Sequence, residues 1–518
     1  MAPSLADEGQ LGSDQVGALL ASVFVVAVWL SYELMMGALA TTLLGGSILW
    51  FSLTIGVFLS AMGMGSFFSR FVPDDRLLEW FVGAEIAIGL VGGTSGLVVF
   101  GAYTWTPWVH VALFGCLGLI GALVGLELPV LTRFLQPVGG LRTAIANVMA
   151  LDYLGSLAAS LAFPFLMLPY LGLLESFFAV GLLNLLAASA TLLAFRDRMS
   201  LALPLGVTAL LAILLAAGLA EAESTMSRFE RQLYSDPVIH VEQTPYQRLV
   251  LTKRSDDLRL YIDGHLQFAA KDEYRYHEAL VHPAMAAADH PARVLVLGGG
   301  DGLAVQRVLA HPGVAQVDLV DLDPRVVSLF RDVPRLSALN GGALSDPRVT
   351  VHAEDAVRFL ERAEARWDVI VMDLPDPHDA ALARLYSQGT FALALRRLDD
   401  GGALVTQATS PFFAREAFWC IATTLEAAVA DGPVPRAVHP GHVHVPSFGT
   451  WGVVLVTSAG VDPAELSVDV PVRFLDGAAM AGMWALPKDL SRVPVEVNRL
   501  GTGVLATYYR RGWRHARQ

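Results

Sequence analysis

Cysteine is nearly missing from this chain: 518 residues carry only Cys116 and Cys420, in different regions. Two such positions give no disulfide framework and no Cys-based metal signature. Lysine is absent from Val16 to Ala220, and arginine occurs there only at 70, 76, 133, 142, 196 and 198. The first fifteen residues hold acids but no basic segment, so the start does not read as a cleavable signal peptide. Positive charge is short throughout. The net charge of −13 argues against nucleic acid as a partner and suits a polycationic ligand.

What the chain has instead is apolar sequence. Hydrophobic residues reach 54% and the mean hydropathy is +0.50, values that place part of the chain in lipid. From 16 to 220 the pattern predicts an α-helical membrane bundle of about seven spans, each of roughly 20 residues. They fall near 16–38, 43–66, 78–102, 107–132, 145–168, 173–195 and 201–220. The six arginines sit in alternate loops, which the positive-inside rule assigns to the cytoplasm. Seven spans would then place the C-terminal half outside, whereas its chemistry calls for the inside. Polar residues at membrane depth are Glu33, Glu85, Glu127, Asp152, Asn147 and Glu175, the last at a helix end. Intramembrane acids usually face a bundle interior or an aqueous cavity, so Glu33, Glu85, Glu127 and Asp152 read as an interior set for a cation. Helix-to-helix bonding is the plainer alternative. The Gly92–Gly96 stretch fits close helix packing.

Charge returns at 221, and the domain plan follows. Residues 1–15 are a tail, 16–220 the bundle, 221–233 a linker able to form an amphipathic helix, and 234–290 a small β-rich subdomain. Residues 291–518 are an α/β doubly wound, Rossmann-like domain of methyltransferase type. Strands are expected at Val238–Val241, Arg248–Thr252 and Leu258–Ile262, with a turn at Asp263-Gly264 and a helix over Lys271–Ala287. The doubly wound sheet is expected to use Val294–Leu297, Val317–Val320, Val349–His352, Asp368–Met372, Ala403–Thr406 and Trp451–Thr457.

The densest chemistry lies in VLVLGGGDGLAVQRVLAHPGVAQVDLVDLD, Val294 to Asp323. A short apolar strand runs into Gly298, Gly299, Gly300 and Gly302, where the backbone can turn tightly and approach a ligand. A helix, a second strand and Asp321 follow, the order of a nucleotide-binding half with an acid for ribose hydroxyls. Asp301 inside the turn would repel a pyrophosphate, which disfavours NAD and FAD. It suits an adenosyl sulfonium compound with an amine tail, although a helix-capping Asp is the plainer reading. Asp301, Asp321, Asp355, Asp373 and Gln407 all fall at carboxyl ends of expected strands, where ligands bind in such sheets. Asp355 is placed to accept from an adenine amino group. VIVMDLPDP puts Asp373 and Asp376 in a proline-stiffened loop. Two carboxylates in one pocket suit an ammonium, whose pKa of about 10 requires deprotonation before its nitrogen can attack.

GGGDG, VDLD, DLPDP and LVTQ, with IDGHLQF and DEYRYHEA upstream, resemble the spermidine synthases, the polyamine aminopropyltransferases, over roughly 234–458. A multi-span N-terminal region resembles that of the membrane-attached members. The resemblance implies transfer of an aminopropyl group from decarboxylated S-adenosylmethionine, a co-substrate, to putrescine or a related amine. Spermidine and methylthioadenosine would be the products, with no metal and no tightly bound cofactor. It implies Asp373 as general base and Asp301, Asp376, Tyr276 and His277 as polyamine-binding residues. Gln247, Gly298, Gly300, Asp321, Asp355 and Ala356 would bind the donor nucleoside, and Gln267, Gln407 and Phe448 would have lesser pocket roles.

Departures from the family pattern cluster on the acceptor side. They are His378-Asp379-Ala380 after the acidic loop, Ala408-Thr409 after Gln407, and Phe448 where a tyrosine is usual. At the ribose position the usual glutamate is Asp321. The alternatives are an S-adenosylmethionine methyltransferase, or a polyamine transporter or sensor with a nucleoside-binding module. Against the first, Asp301 would repel that donor's carboxylate by a few kcal/mol if poorly solvated, at an effective dielectric near 20. The expected partners are a small diamine or polyamine and the lipid bilayer, with a homo-oligomer left open. The expected location is the cell membrane, multi-pass, with the catalytic domain in the cytoplasm.

Overall fold

The structure is a computed structural model that describes residues 29–44 and 48–516. The expected tail and the start of the first expected span lie outside those residues. The chain divides into two compact units, Met1–Asp236 and Pro237–Gln518.

The described part of the first unit is helical: α1 Trp29–Leu44, α2 Ile48–Phe68, α3 Leu77–Trp105, α4 Val109–Ala162, α5 Leu173–Ala194, α6 Ala202–Ala220 and α7 Ala222–Leu233. Six helical segments are long and apolar enough to cross a membrane, and Leu30–Leu44 is a shorter apolar helix among the described residues. The loop expected between the fourth and fifth spans is instead a break inside α4. Gly140 takes a left-handed φ of 77° there, and the apolar segments on either side are Val109–Pro137 and Gly140–Tyr170. Helices approach closely where side chains are smallest: a Cβ added at Gly92 would overlap the Tyr32 ring, and one at Gly96 the Phe177 ring. Of the polar residues expected at membrane depth, Glu85, Glu127 and Asp152 are buried. Glu33 is half-buried and Asn147 is exposed, while Glu175 sits in the first turn of α5.

The second unit has two sheets. The smaller is an antiparallel meander of β1 Val238–Gln243, β2 Arg248–Arg254, β3 Asp257–Ile262 and β4 His265–Ala269. Strand β4 was not expected from the sequence. It is only five residues long, and its pairing follows from the Asp263-Gly264 turn, whose two residues both take positive φ. Helix α8, Glu273–Ala287, follows.

The larger sheet has seven strands in the order β10-β11-β9-β8-β5-β6-β7. Their ranges are β5 Arg293–Gly298, β6 Gln316–Asp321, β7 Val349–Ala353, β8 Trp367–Asp373, β9 Leu398–Gln407, β10 Arg436–Val445 and β11 Gly449–Ser458. Strands β5 to β9 are parallel, and the β10–β11 hairpin joins β9 antiparallel. Strand β10 is the other one the sequence hid, because Pro440 and Gly441 interrupt it. It survives on the sheet edge, where a missing N–H leaves no ladder bond broken.

Alternation along β5 sends Val294 and Val296 to one core and Leu295 and Leu297 to the other. The first core holds α8, α9 Leu303–Leu309 and α10 Pro324–Asp332. The second holds α11 Ala356–Arg362, α12 Gln388–Arg396, α13 Arg415–Ala430 and α14 Val504–Ala516. All four β5 residues are fully buried. At about 1.5–3 kcal/mol per side chain, this strand anchors the glycine turn that leaves its end. Buried Glu278 on α8 accepts from the amides of Arg473, Phe474 and Leu475 at 2.8–3.1 Å, tying the C-terminal segment to the same core.

Candidate active site

Strand register builds the site. Gly298 pairs with Asp373, Asp321 with Ala353, and Met372 with Thr406, which carries Asp373 beside Gln407. Gly298, Gly299 and Gly302 all have left-handed φ, from 68° to 79°. A Cβ at Gly298 would overlap the Asp373 carbonyl. One at Gly300 would press within 2.6 Å of Asp321 Oδ2. The turn thus leaves both acids room to be approached.

Asp373 ends β8. The Tyr276 hydroxyl donates to its Oδ1 at 2.6 Å, and His277 Nε2 lies 3.9 Å from its Oδ2. His277 is itself held from the far side, with Nδ1 2.9 Å from Glu273 Oε2. Arg307 donates to the other Glu273 oxygen at 2.9 Å. Burial works to lower the His277 pKa, but the Glu273 bond and the charges of Glu273, Asp373 and Asp301 outweigh it and raise the value. Burial and the neighbouring Asp373 charge push the Tyr276 hydroxyl well above its ordinary range, so it acts as a donor.

Three further acids surround this pair. Asp301 Oδ1 caps α9 by accepting from the Leu303 amide at 2.9 Å. Asp321 accepts from the Gly300 and Asp323 amides, each at 2.9 Å. Asp376 accepts from Tyr509 at 2.9 Å, Gln407 at 3.3 Å and Thr409 at 3.4 Å. Burial pushes Asp301, Asp321 and Asp376 each up to about 6. An approaching cation relieves that penalty, because it replaces the lost hydration of the carboxylate.

The other expected residues fall as follows. Gln247 donates to Asp323 Oδ2 at 3.1 Å. Asp355 caps α11 with one oxygen, accepting from Val357 and Arg358, and its other oxygen meets Arg384. A ligand amine at Asp355 would therefore share an oxygen already in use; Ala356 begins α11 beside it. Gln267 lies on β4, its amide donating to the His265 carbonyl at 3.2 Å. Phe448 sits edge-on to Tyr276 at 6.3 Å and lies 5.3 Å from Trp451. Gln407 bridges Leu374, Asp376 and Tyr386 through one nitrogen, and its oxygen accepts from the Thr409 amide at 2.8 Å.

Several contributors were not singled out from the sequence. The i,i+4 spacing of Glu273 and His277 on α8 was a readable signal. Arg307, Tyr386 and Tyr509 gave none, while Thr409 stood out only within the Ala408-Thr409 departure after Gln407. Thr409 takes a left-handed φ of 52°, an uncommon state for a β-branched residue. Its backbone is pinned by Gln407 and its hydroxyl points to Asp376.

Residues 273–463 match the model of the spermine/spermidine synthase domain. Over 505 residues the chain is 44% identical to polyamine aminopropyltransferase 2 of Ralstonia nicotianae, across 96% of this chain and 98% of that one. It is 40% identical over 500 residues to the polyamine aminopropyltransferase of Leptospira interrogans, across 96% and 98%. A crystal structure of spermidine synthase in complex with the transition-state analogue AdoDATO aligns with a TM-score of 0.45 at 22% identity. It covers 49% of this chain and 88% of its own.

Proposed function

We propose, for a chain that belongs to the spermine/spermidine synthase family, that it is a polyamine aminopropyltransferase with Asp373 as its general base. The donor is decarboxylated S-adenosylmethionine and the acceptor putrescine or a related amine. Asp373 takes a proton from the bound ammonium, the freed amine nitrogen attacks the carbon next to the sulfonium, and the carbon–sulfur bond breaks. The electron pair stays on sulfur, giving neutral methylthioadenosine, and the positive charge passes to the secondary ammonium of the product. The observation that carries this reading is the setting of Asp373 at the end of β8. Tyr276 fixes one of its oxygens at 2.6 Å, while the other faces the site with His277 no closer than 3.9 Å.

Asp301 and Asp376 hold the amine groups of donor and acceptor, each acid half-buried, raised in pKa by desolvation and ready to gain from a cation. Asp321 takes the ribose hydroxyls, since each of its oxygens accepts one amide bond and keeps a second lone pair. Gly298 and Gly300 leave space for the donor's approach, and Gln247, Asp355 and Ala356 border its nucleoside. Tyr276 and His277 line the polyamine path, with Gln267, Gln407 and Phe448 as its outer polar and aromatic walls. His277, held by Glu273, steadies negative charge on Asp373 before the proton arrives.

The six long apolar helices support an assignment of the first unit to the cell membrane. We place the catalytic unit on the cytoplasmic side, where the donor is expected. The arginine pattern opposes that sidedness, and a reporter fused after Gln518 decides it. The test of the activity is direct: solubilised full chain is incubated with decarboxylated donor and a panel of diamines, and products are identified by mass spectrometry. Aminopropylated amine with methylthioadenosine is expected. Methylated product from S-adenosylmethionine, with none from the decarboxylated donor, would replace this reading by a methyltransferase.

A further inference from the structure

The first unit buries acids that the reaction does not use. Glu85 on α3 is fully buried, and Glu127 and Asp152 on α4 are 1% and 5% exposed. The Glu85 and Glu127 carboxyls lie within reach of each other, and the Asp152 charge reaches Glu127. Asn184 on α5 donates to Glu85 Oε2 at 3.1 Å. Beyond these contacts Glu85 Oε1 and both Glu127 oxygens have no hydrogen-bond partner. Neither glutamate forms an ion pair among the described residues.

A second feature points the same way. The Tyr32 side chain on α1 is completely buried, and its hydroxyl has no partner. It lies within electrostatic reach of Glu85, packed where Gly92 lets the two helices close up. A buried hydroxyl left unbonded carries a cost of about 1–3 kcal/mol, and buried carboxylates cost more. One proton shared between the glutamates satisfies a single contact and leaves a Glu127 oxygen unbonded. A primary ammonium brings three N–H donors and a charge, which matches the three open carboxylate oxygens.

We propose that Glu85, Glu127 and Tyr32 form an amine site inside the bundle that takes the primary ammonium end of a polyamine, with Asp152 adding charge. The choice of polyamine rests on the aminopropyltransferase reading; the site itself rests on the unbonded oxygens. This adds amine capture to the first unit, separate from the transfer reaction.

The experiment uses the full chain in lipid nanodiscs, radiolabelled spermidine as the probe, and Asp301→Asn/Asp376→Asn as the background that weakens amine binding at the catalytic site. Saturable binding should persist in that background and weaken about tenfold or more on adding Glu127→Gln. Tyr32→Phe, which deletes one hydroxyl and is the gentler change for folding, should weaken it severalfold. Equal spermidine affinity with and without these substitutions means that the glutamates hold only a proton, and overturns the site. Aminopropyl transfer by otherwise wild-type Glu127→Gln is measured alongside and should be normal. Loss of product in the unsubstituted chain with retained bundle binding would defeat the enzymatic reading and leave the site standing.

Discussion

Asp376 receives hydrogen bonds from Tyr509, Gln407 and Thr409, and Asp321 receives two backbone amides. Glu85 receives one bond, from Asn184, and Glu127 faces another acid. Glu85 and Glu127 are buried and Asp321 and Asp376 half-buried, and the two units treat their carboxyls differently. In Pro237–Gln518 the Gly300 and Asp323 amides, free at a turn and past a strand end, point at Asp321, and side chains from α14, the end of β9 and the residues after it converge on Asp376. In Met1–Asp236 the helices consume their own amides, so an interior acid must find a side chain, another acid or a ligand. The catalytic acids are therefore positioned before a ligand arrives, as preorganised catalysis requires. The acids of the bundle are left with capacity to spare.

The largest expected break in that preorganised site is Asp373→Asn. It keeps the shape and removes the proton acceptor, so kcat should fall by about 10²–10⁴ with little change in donor affinity. Activity within a few-fold of wild type at neutral pH would mean that the base is another group. Next comes Tyr509→Phe, which strips a donor from Asp376 while leaving the ring in place. Acceptor KM should rise about tenfold and donor KM should hold, because hydrogen bonds to charged groups contribute about 1.5–3 kcal/mol. A parallel loss for both substrates would point to general misfolding.

A pH series probes the same acids together. Asp301, Asp321 and Asp376 titrate near 6 in the fold, against an ordinary aspartate value of 3.8. The folded state binds protons more readily than the unfolded state, so these groups favour the ligand-free fold below about 4. That contribution is lost as pH rises through about 6. Catalysis runs the other way, since ionised acids bind cations. Consequently kcat/KM should climb through pH 6 while the melting temperature without ligand declines, and decarboxylated donor should restore the lost stability at pH 7. A melting temperature flat from pH 4 to 7 would show that these three acids do not titrate there. The smallest effect is expected from Asp301→Asn. It should narrow the preference for decarboxylated donor over S-adenosylmethionine by a few-fold, as it removes the charge that repels the extra carboxylate, and that charge is half-buried and partly screened by water, short of the poorly solvated limit. Unchanged relative KM values would remove Asp301 from that role.

The sequence by itself determined the strands of the parallel sheet, the glycine turn and the acids at the strand ends. Those features are local: an apolar run, a residue able to take positive φ, and an acid where the run stops. It also marked the apolar stretches of the first unit, because span length follows from bilayer thickness. It did not determine which polar groups meet. Tyr509 reaches Asp376 across 133 residues, and α14 is turned toward that acid only by its packing in the second core. Strand β10 looked broken by proline until its place on the sheet edge made the missing N–H harmless. In the bundle, Glu85, Glu127 and Asp152 are interior while Glu33 is only half-buried and Asn147 exposed. A helix that is apolar on every side carries no moment to fix its rotation. The face each acid presents was therefore decided by close packing at residues such as Gly92 and Gly96, which only the tertiary structure brings together.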